Sequence, residues 1–389
     1  MSERILFVSS LHHPEALKAA RARQPDAPPL FPPSMSQHFW EKALRRRGYV
    51  LDVFYRNLPG GLADDNARME RHAQGITPGK ILSAINNRIP PELRPDVRRR
   101  NADLLAKARA FRPDILWMTG DNTIITRDTL EQIKLETGCL VVYACGTSPI
   151  VFSRPIDRAC ARAYDIVLAS DYYHGVQWLE LGAPRMEVLP IAACDPEFHK
   201  PYALTDDERH ALACDVAFVG TLVPDNLYSR RVRALNALRD VDLGIWSVHD
   251  VPASLKPHVR GRALGEEMER ILSAGKICFN THGDFVLYGG NLRLFEVAGA
   301  GVFQVTDNLP GVREWFPETR DGALIATYRT LGELRDKVRW FLDHADEREA
   351  AARRAQAHVY AHHTYDNRVR KFEAIVADWR AGNRTLFGE

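Results

Sequence analysis

Residues 276–316 read KICFNTHGDFVLYGGNLRLFEVAGAGVFQVTDNLPGVREWF. The short apolar run over 277–279 is of the kind a buried parallel strand shows. A polar, glycine-bearing loop follows over 282–290, then a helical pattern over 291–298. A second apolar run over 302–305 ends in Thr306 and Asp307. Strand, loop, helix, strand is a βαβ unit, with its polar residues gathered on the loop and the first helical turn. Gly289 and Gly290 permit a tight turn and leave backbone N–H groups unshielded. Asn291 suits an N-cap, and the helix it opens directs about half a positive charge at the loop. Arg293 stands in that first turn against the dipole, which argues for an anionic partner, phosphate above all. Glu296, three residues on, shares its face. The competing reading is a surface Arg293–Glu296 pair contributing about 0.2–0.5 kcal/mol.

Working outward, the same alternation extends both ways. Apolar runs over 5–8, 49–55, 114–118, 140–144, 166–169 and 187–189 read as strands. Helical patterns over 36–47, 98–111, 127–136 and 171–181 lie between them. Such alternation predicts an α/β domain with a parallel sheet covered on both faces. Residues 23–33 and the proline-punctuated 190–213 read as loop and linker. A second series follows: strands at 215–219, 244–246 and 323–326, and helices at 265–272, 331–343 and 347–360. The tail carries a last helix of about fifteen residues after 363–365. Segment 56–100 is the least regular, and its basic cluster (Arg88, Arg94, Arg98, Arg99, Arg100) has two readings. One is a solvated face; the other is contact with an anionic acceptor or, peripherally, a membrane surface.

Composition narrows the function class. The 389 residues predict two domains, and 45% hydrophobic with 26% charged residues is ordinary for a soluble protein. A formal net charge of +2 argues against a general nucleic-acid binder. Six scattered cysteines with no C-x-x-C pair suit buried thiols in a reducing cytoplasm better than disulfides or zinc. The opening MSERILFVSS enters a strand without a signal-peptide core, and no apolar run approaches a membrane span. The expectation is a cytoplasmic protein.

The central stretch carries a family resemblance. N-x-H, then G-G-N-x-R-x-F-E-x-x-x-x-G, then T-D-x-x-P-G is formed by Asn280, His282, Gly289, Gly290, Asn291, Arg293, Phe295, Glu296, Gly301, Thr306, Asp307, Pro310 and Gly311. The pattern resembles the C-terminal domain of the CgeB-like, spore-maturation type glycosyltransferases, relatives of glycosyltransferase family 4. It is specific over 260–320 and fainter over 215–240. The resemblance implies a GT-B fold, two Rossmann-like domains facing a cleft. Residues 1–195 would form the acceptor domain and 196–364 the nucleotide-sugar donor domain, with the C-terminal helix (365–389) crossing back to the first. It implies a glycosyltransferase moving a sugar from a nucleoside diphosphate sugar to an unidentified acceptor: glycan, protein, lipid-linked or small molecule. No cofactor and no metal are implied, and the expected stereochemistry is retaining. Family-4 relatives carry a second glutamate eight positions before Glu296, where this chain has Tyr288, so that glutamate's role does not carry over. The rival readings are a nucleotide-sugar epimerase on the same fold and a non-catalytic sugar-nucleotide binder.

The resemblance makes Glu296 the carboxylate for the ribose hydroxyls. Arg293, the Gly289–Gly290–Asn291 backbone, and Arg230 or Arg231 become candidates for the pyrophosphate, where charge-assisted bonds also stabilise the departing diphosphate. Gly220, after a strand, is a candidate for backbone approach to phosphate, and His282 for phosphate or sugar. His12, His13 and Asp121 fall at expected strand ends of the acceptor domain, where ligands bind in open α/β sheets, and are the candidate catalytic groups. Three features argue for nothing further. Asp240-Val241-Asp242 reads as a turn, and His358 with His362 as an exposed pair lacking a third ligand. No G-x-G-x-x-G follows the first strand, against a dehydrogenase.

Overall fold

The computed structural model describes residues 2–57, 89–90, 93–120, 122–146, 149, 151, 153–223 and 225–383. They form two compact units. The first is Met1–Pro29, Pro33–Ile191 and Val369–Glu389; the second is Leu30–Pro32 with Ala192–Arg368.

In the first unit, strands β1 (Arg4–Ser9), β2 (Val50–Tyr55), β3 (Ile115–Thr119), β4 (Leu140–Cys145), β5 (Ile166–Ala169) and β6 (Met186–Val188) form a parallel sheet ordered β2-β1-β3-β4-β5-β6. The inner strands are apolar throughout because helices cover both faces and each side chain needs a dry neighbour. On one face Trp117 meets Phe7 at 5.3 Å, Trp40 at 5.0 Å and Phe372 at 4.7 Å between ring centroids. Phe372 lies on the end of the helix Tyr365–Arg380 that belongs to this unit. On the other face Tyr143 stacks on Tyr164 at 4.4 Å, and both hydroxyls donate to the buried Asp157 carboxylate at 2.8 and 3.1 Å.

The second unit repeats the plan. Strands β7 (Cys214–Val219), β8 (Leu243–Trp246), β9 (Val259–Gly261), β10 (Gly275–Asn280), β11 (Phe303–Asp307) and β12 (Ala326–Tyr328) make a parallel sheet ordered β12-β11-β10-β7-β8-β9. Phe218, Phe279 and Phe303 pack on one face with Leu334, Val338, Ala351 and Ala352. Cys214, Ala217 and Cys278 face Met268, Ile271 and Val297 on the other. The fold is therefore α/β with two parallel six-stranded sheets.

Several local expectations are corrected. The helix Pro14–Arg23 is absent from the sequence reading because it buries only Leu17 and so carries no apolar stripe. Within the stretch read as linker, Asp206–Leu212 is a helix opened by a Thr205–Glu208 capping box. The last strand is Ala326–Tyr328, three residues later than expected. The helix Ala345–His362 is not a free surface helix, since Ala351, Ala352, Ala355 and Val359 are buried. Of the basic cluster, Arg94 pairs with Asp96 at 2.6 Å. Arg100 turns inward onto the Tyr55 and Arg56 carbonyls and pairs with Asp103, so neither belongs to a solvated face. Arg88 lies outside the described residues. All six cysteines are buried and free. No helix among the described residues is long and apolar enough to cross a membrane.

Candidate functional site

Chain direction locates the ligand edge of each sheet. In the second unit the chain leaves β7 toward β8 and β9, then returns to the other side of β7 as β10. The crevice past the carboxyl ends of β7 and β10 is thus the topological switch point, where open α/β sheets bind ligands. The loops that meet there hold most of the residues singled out by sequence.

Arg231 sits across that point. Its Nε donates to Thr281 O, past β10, at 2.8 Å, and its Nη1 to Thr221 O, past β7, at 2.9 Å. The guanidinium lies 4.7 Å from the Tyr228 ring centroid. Two of the five N–H groups of an arginine are thereby used, leaving three, and no carboxylate pairs with Arg231 among the described residues. Burial lowers its pKa, a sign that the charge is held against a desolvation penalty.

Its neighbours are already matched. Arg230 lies 3.4 Å from Asp307 Oδ2 and 3.7 Å from Asp284 Oδ1. Asp284 also accepts from the Ser229 amide and hydroxyl and the Arg230 amide, at 3.0, 2.5 and 3.0 Å. The helix Asp225–Asn236 is kinked at Tyr228, so Asp284 caps the regular part that starts beyond it. The protein's own carboxylate thus fills the anion position at that helix start. Burial opposes the Asp284 charge, but these hydrogen bonds hold its carboxyl below the usual range.

Asn291 is the N-cap of the helix Leu292–Gly299. Its Oδ1 accepts from the Leu294 amide at 3.1 Å, and its side chain exchanges two hydrogen bonds with Asn280 at the end of β10. The Leu292 and Arg293 amides of the first turn have no acceptor among the described residues. Neither Gly289 nor Gly290 has a left-handed φ, so a tight turn is not their use. A Cβ on Gly290 would stand 2.8 Å from Leu294 Cδ2 and from Trp315 Cζ3; the glycine is there for close packing. Gly220 is corrected as a phosphate donor, because its N–H is spent on Trp246 O at 3.1 Å.

The Arg293–Glu296 pair exists, at 2.8 Å, but it is not superficial: Glu296 is buried and the Arg293 side chain is 13% exposed. Arg293 Nη1 also contacts Met268 Sδ. Glu296 Oε1 faces His199 Nε2 at 3.8 Å, and His199 Nδ1 accepts the Asp195 amide at 2.9 Å, which leaves the proton on Nε2. Beside this pair lies a residue that sequence reasoning missed. Glu269, on the helix Glu266–Ala274, is fully buried with neither carboxyl oxygen hydrogen-bonded. Burial, reinforced by the Glu296 charge and only partly offset by Arg293, pushes its carboxyl well above the ordinary range.

That shift has a sign for stability. Below the unfolded glutamate value, about 4.3, both states hold the proton. As pH rises past it the unfolded chain releases the proton while the fold keeps it, and stability falls. Glu269→Gln, which mimics the neutral acid, should raise the melting temperature by a few degrees at pH 7.5 and leave it unchanged near pH 4. Equal shifts at both pH values would contradict the assignment.

His282, fully buried past β10, donates from Nδ1 to Asp307 Oδ1 at 2.6 Å. Asp307 ends β11 and was visible in sequence only as a motif letter. In the first unit the switch point lies between β1 and β3. His12 follows β1, with Nδ1 2.8 Å from Ser34 Oγ. His13 takes the left-handed N-cap of Pro14–Arg23, and burial lowers its pKa. Asp121 lies outside the described residues. Asp240 pairs with Arg339 and Asp242 with Arg260 at the surface, and His358 Nε2 lies 2.8 Å from Trp315 O.

A family model described as Glycosyl transferase-like matches residues 229–374. Spore protein CgeB of Bacillus subtilis (strain 168) is 23% identical over 292 residues, covering 70% of this chain and 86% of that protein. Among solved structures, Anabaena HepE in complex with UDP-glucose superposes with a TM-score of 0.58 at 14% identity, covering 96% of this chain and 99% of that one. The α,α-trehalose 6-phosphate synthase of Burkholderia multivorans gives a TM-score of 0.61 at 14% identity, with 98% and 99% covered. These two likenesses speak to the fold. A glycosyl transferase-like domain over residues 229–374, carried on paired parallel α/β units of the GT-B type, makes the chain a glycosyltransferase that is similar in sequence to spore protein CgeB.

Proposed function

We propose that the protein transfers a sugar from a nucleoside diphosphate sugar to an acceptor hydroxyl, binding the donor at the carboxyl edge of the second unit's sheet. The observation that carries this reading is Arg231: a partly buried guanidinium at the switch point, hydrogen-bonded only to carbonyls, with donors to spare. A diphosphate supplies the matching charge. The free amides of Leu292 and Arg293 add a helix N-terminus, and HepE has been solved with UDP and UDP-glucose. Glu296 is the proposed ribose acceptor, with Arg293 orienting it through the 2.8 Å contact.

In the step itself the bond from the anomeric carbon to the β-phosphate oxygen breaks, and its electron pair goes to the diphosphate. The acceptor oxygen bonds to that carbon, and its proton leaves on the diphosphate or to solvent. Charge developing on the departing diphosphate is met by Arg231 and the helix amides, and the reading therefore assigns no catalytic metal. Retention follows from the departing phosphate itself serving as the base on the face it leaves. His12 and His13 are proposed to line the acceptor edge of the first unit, next to its own switch point. Six buried thiols favour a cytoplasmic setting.

A thermal-shift panel of UDP, GDP, ADP and dTDP, followed by calorimetry and hydrolysis of the matching sugar donor, tests the reading. Glu296→Ala and Arg293→Ala should each weaken diphosphate binding about tenfold, the loss of one charge-assisted contact. Unchanged affinity in both, or no binding by the wild type to any of the four, would overturn it.

A further inference from the structure

We propose that His282 and Asp307 form a dyad in which Asp307 orients the ring so that His282 Nε2 hydrogen-bonds a phosphate oxygen of the donor and strengthens that bond as the sugar departs. The inference rests on the donor reading above and adds a catalytic residue and its positioning partner.

The geometry fixes the tautomer. Asp307 Oδ1 receives the His282 ring at 2.6 Å, the His282 amide at 3.2 Å and the Thr306 hydroxyl at 3.2 Å, while Oδ2 meets Arg230 at 3.4 Å. Burial works against the Asp307 charge, but the facing imidazole and these hydrogen bonds outweigh it and hold the carboxyl well below its usual range. An ionised carboxylate only accepts, so Nδ1 is the donor and Nε2 is the one ring position left for a ligand. Nε2 is buried and has no hydrogen-bond partner.

An orphaned polar atom of this kind is destabilising by about 1–3 kcal/mol. Folds retain such groups where a ligand completes them. The ring's place agrees: His282 directly follows Thr281, whose carbonyl holds Arg231 at the switch point. Nε2 is buried, so the contact includes a local opening of the loop over 285–290. Asp284 anchors the start of the loop on Leu227, Ser229 and Arg230, and beyond it few backbone bonds hold the segment: Val286 N to Gly283 O and Gly311 N to Tyr288 O. Opening of so lightly tied a segment is the low-energy kind that loops over ligand sites use.

With both ring nitrogens donating, the imidazolium lies between Asp307 and the diphosphate, and no proton need transfer. The charged and titratable groups around it are Asp307 on β11, Arg230 and Arg231 on the helix Asp225–Asn236, Asp284 on its own loop, and Tyr328 on β12, which bonds Thr281. The carboxylate holds the ring in place through two contacts, the Nδ1 bond at 2.6 Å and the His282 amide at 3.2 Å, so its removal should cost turnover by freeing the ring's orientation.

The test uses the full chain, UDP by calorimetry and UDP-glucose turnover by UDP release. Asp307→Asn should lower kcat about 100-fold, the size expected for one misplaced donor at a developing charge. Its affinity for UDP should change less than about fivefold. His282→Gln should show a similar kcat loss with the same small change in UDP affinity. Wild-type kcat in both variants would overturn the dyad while leaving the donor reading intact, provided UDP still binds. Equal loss of UDP affinity and kcat in both would assign the pair a purely structural role and overturn the dyad as well. Failure of the wild type to bind UDP or any other diphosphate of the panel would instead fell the donor reading and the dyad with it.

Discussion

Replacing Arg231 with methionine should weaken UDP binding by at least a hundredfold while the chain remains folded. Hydrogen bonds between charged partners contribute about 1.5–3 kcal/mol each. Two of the three unused N–H groups on a diphosphate would give about 3 kcal/mol at the low end, slightly more than two decades. The fold loses less. Thr221 O and Thr281 O forfeit their donors, each a cost of about 1 kcal/mol. Removing a partly buried cation that no carboxylate pairs with recovers part of that sum. Arg231→Lys keeps the charge, but one ammonium cannot span carbonyls past two different strands. It should therefore fall between, roughly tenfold weaker than wild type. The contrast with Arg230 is the control: its charge is already met by Asp284 and Asp307, so Arg230→Met should affect binding less. Calorimetry on the three variants decides it, and an Arg231→Met protein that binds UDP like wild type would remove the observation on which the donor site rests.

That ordering of the two arginines shows where sequence reasoning stops. The βαβ unit of 276–316 was legible because its signals are local: an apolar run, an N-cap asparagine, a three-residue spacing between Arg293 and Glu296. The cap and the pair are both present. Which arginine is free depends on Asp284, more than fifty residues away in the chain, and no periodicity reports that. Glu269 was invisible for a similar reason. On a helix that opens with three acids in its first turn it looks like one more solvated charge, yet it is the one turned inward. Gly220 misled in the opposite direction, since a glycine after a strand suggests an available amide while the register of β8 consumes it. The short helix Pro310–Trp315 was too brief to show a period. Its Gly311 is nonetheless required, because a Cβ there would stand 2.9 Å from Gly289 Cα and Tyr288 O.

Trp117→Ala should be the most damaging single change to the first unit, lowering its stability by about 3–5 kcal/mol. The indole is 2% exposed on β3, flanked in the sheet by β1 and β4, so nothing can collapse into the space it leaves without breaking a ladder. Three aromatic rings from three other segments converge on it: Phe7 of β1, Trp40 of the helix Pro32–Arg46, and Phe372 of the last helix. Phe372 is itself fully buried, so the tail contributes to this core as much as a strand does. A Trp117→Ala, Phe372→Ala double-mutant cycle should return a coupling of about 0.5–1.5 kcal/mol beyond the area each ring buries. Arg47–Glu373 at the surface and Arg185–Asp378, whose aspartate side chain is exposed, tie the same tail to the first unit at 2.6 Å each. The exposed partner in each pair, Arg47 or Asp378, is screened by solvent and salt, so the pairs add little to the tail's hold. High salt should therefore leave the tail docked, whereas Phe372→Ala should release it. Limited proteolysis near 369–380 reads this directly: cleavage promoted by salt alone and not by Phe372→Ala would mean that charge, not the aromatic cluster, holds the end of the chain.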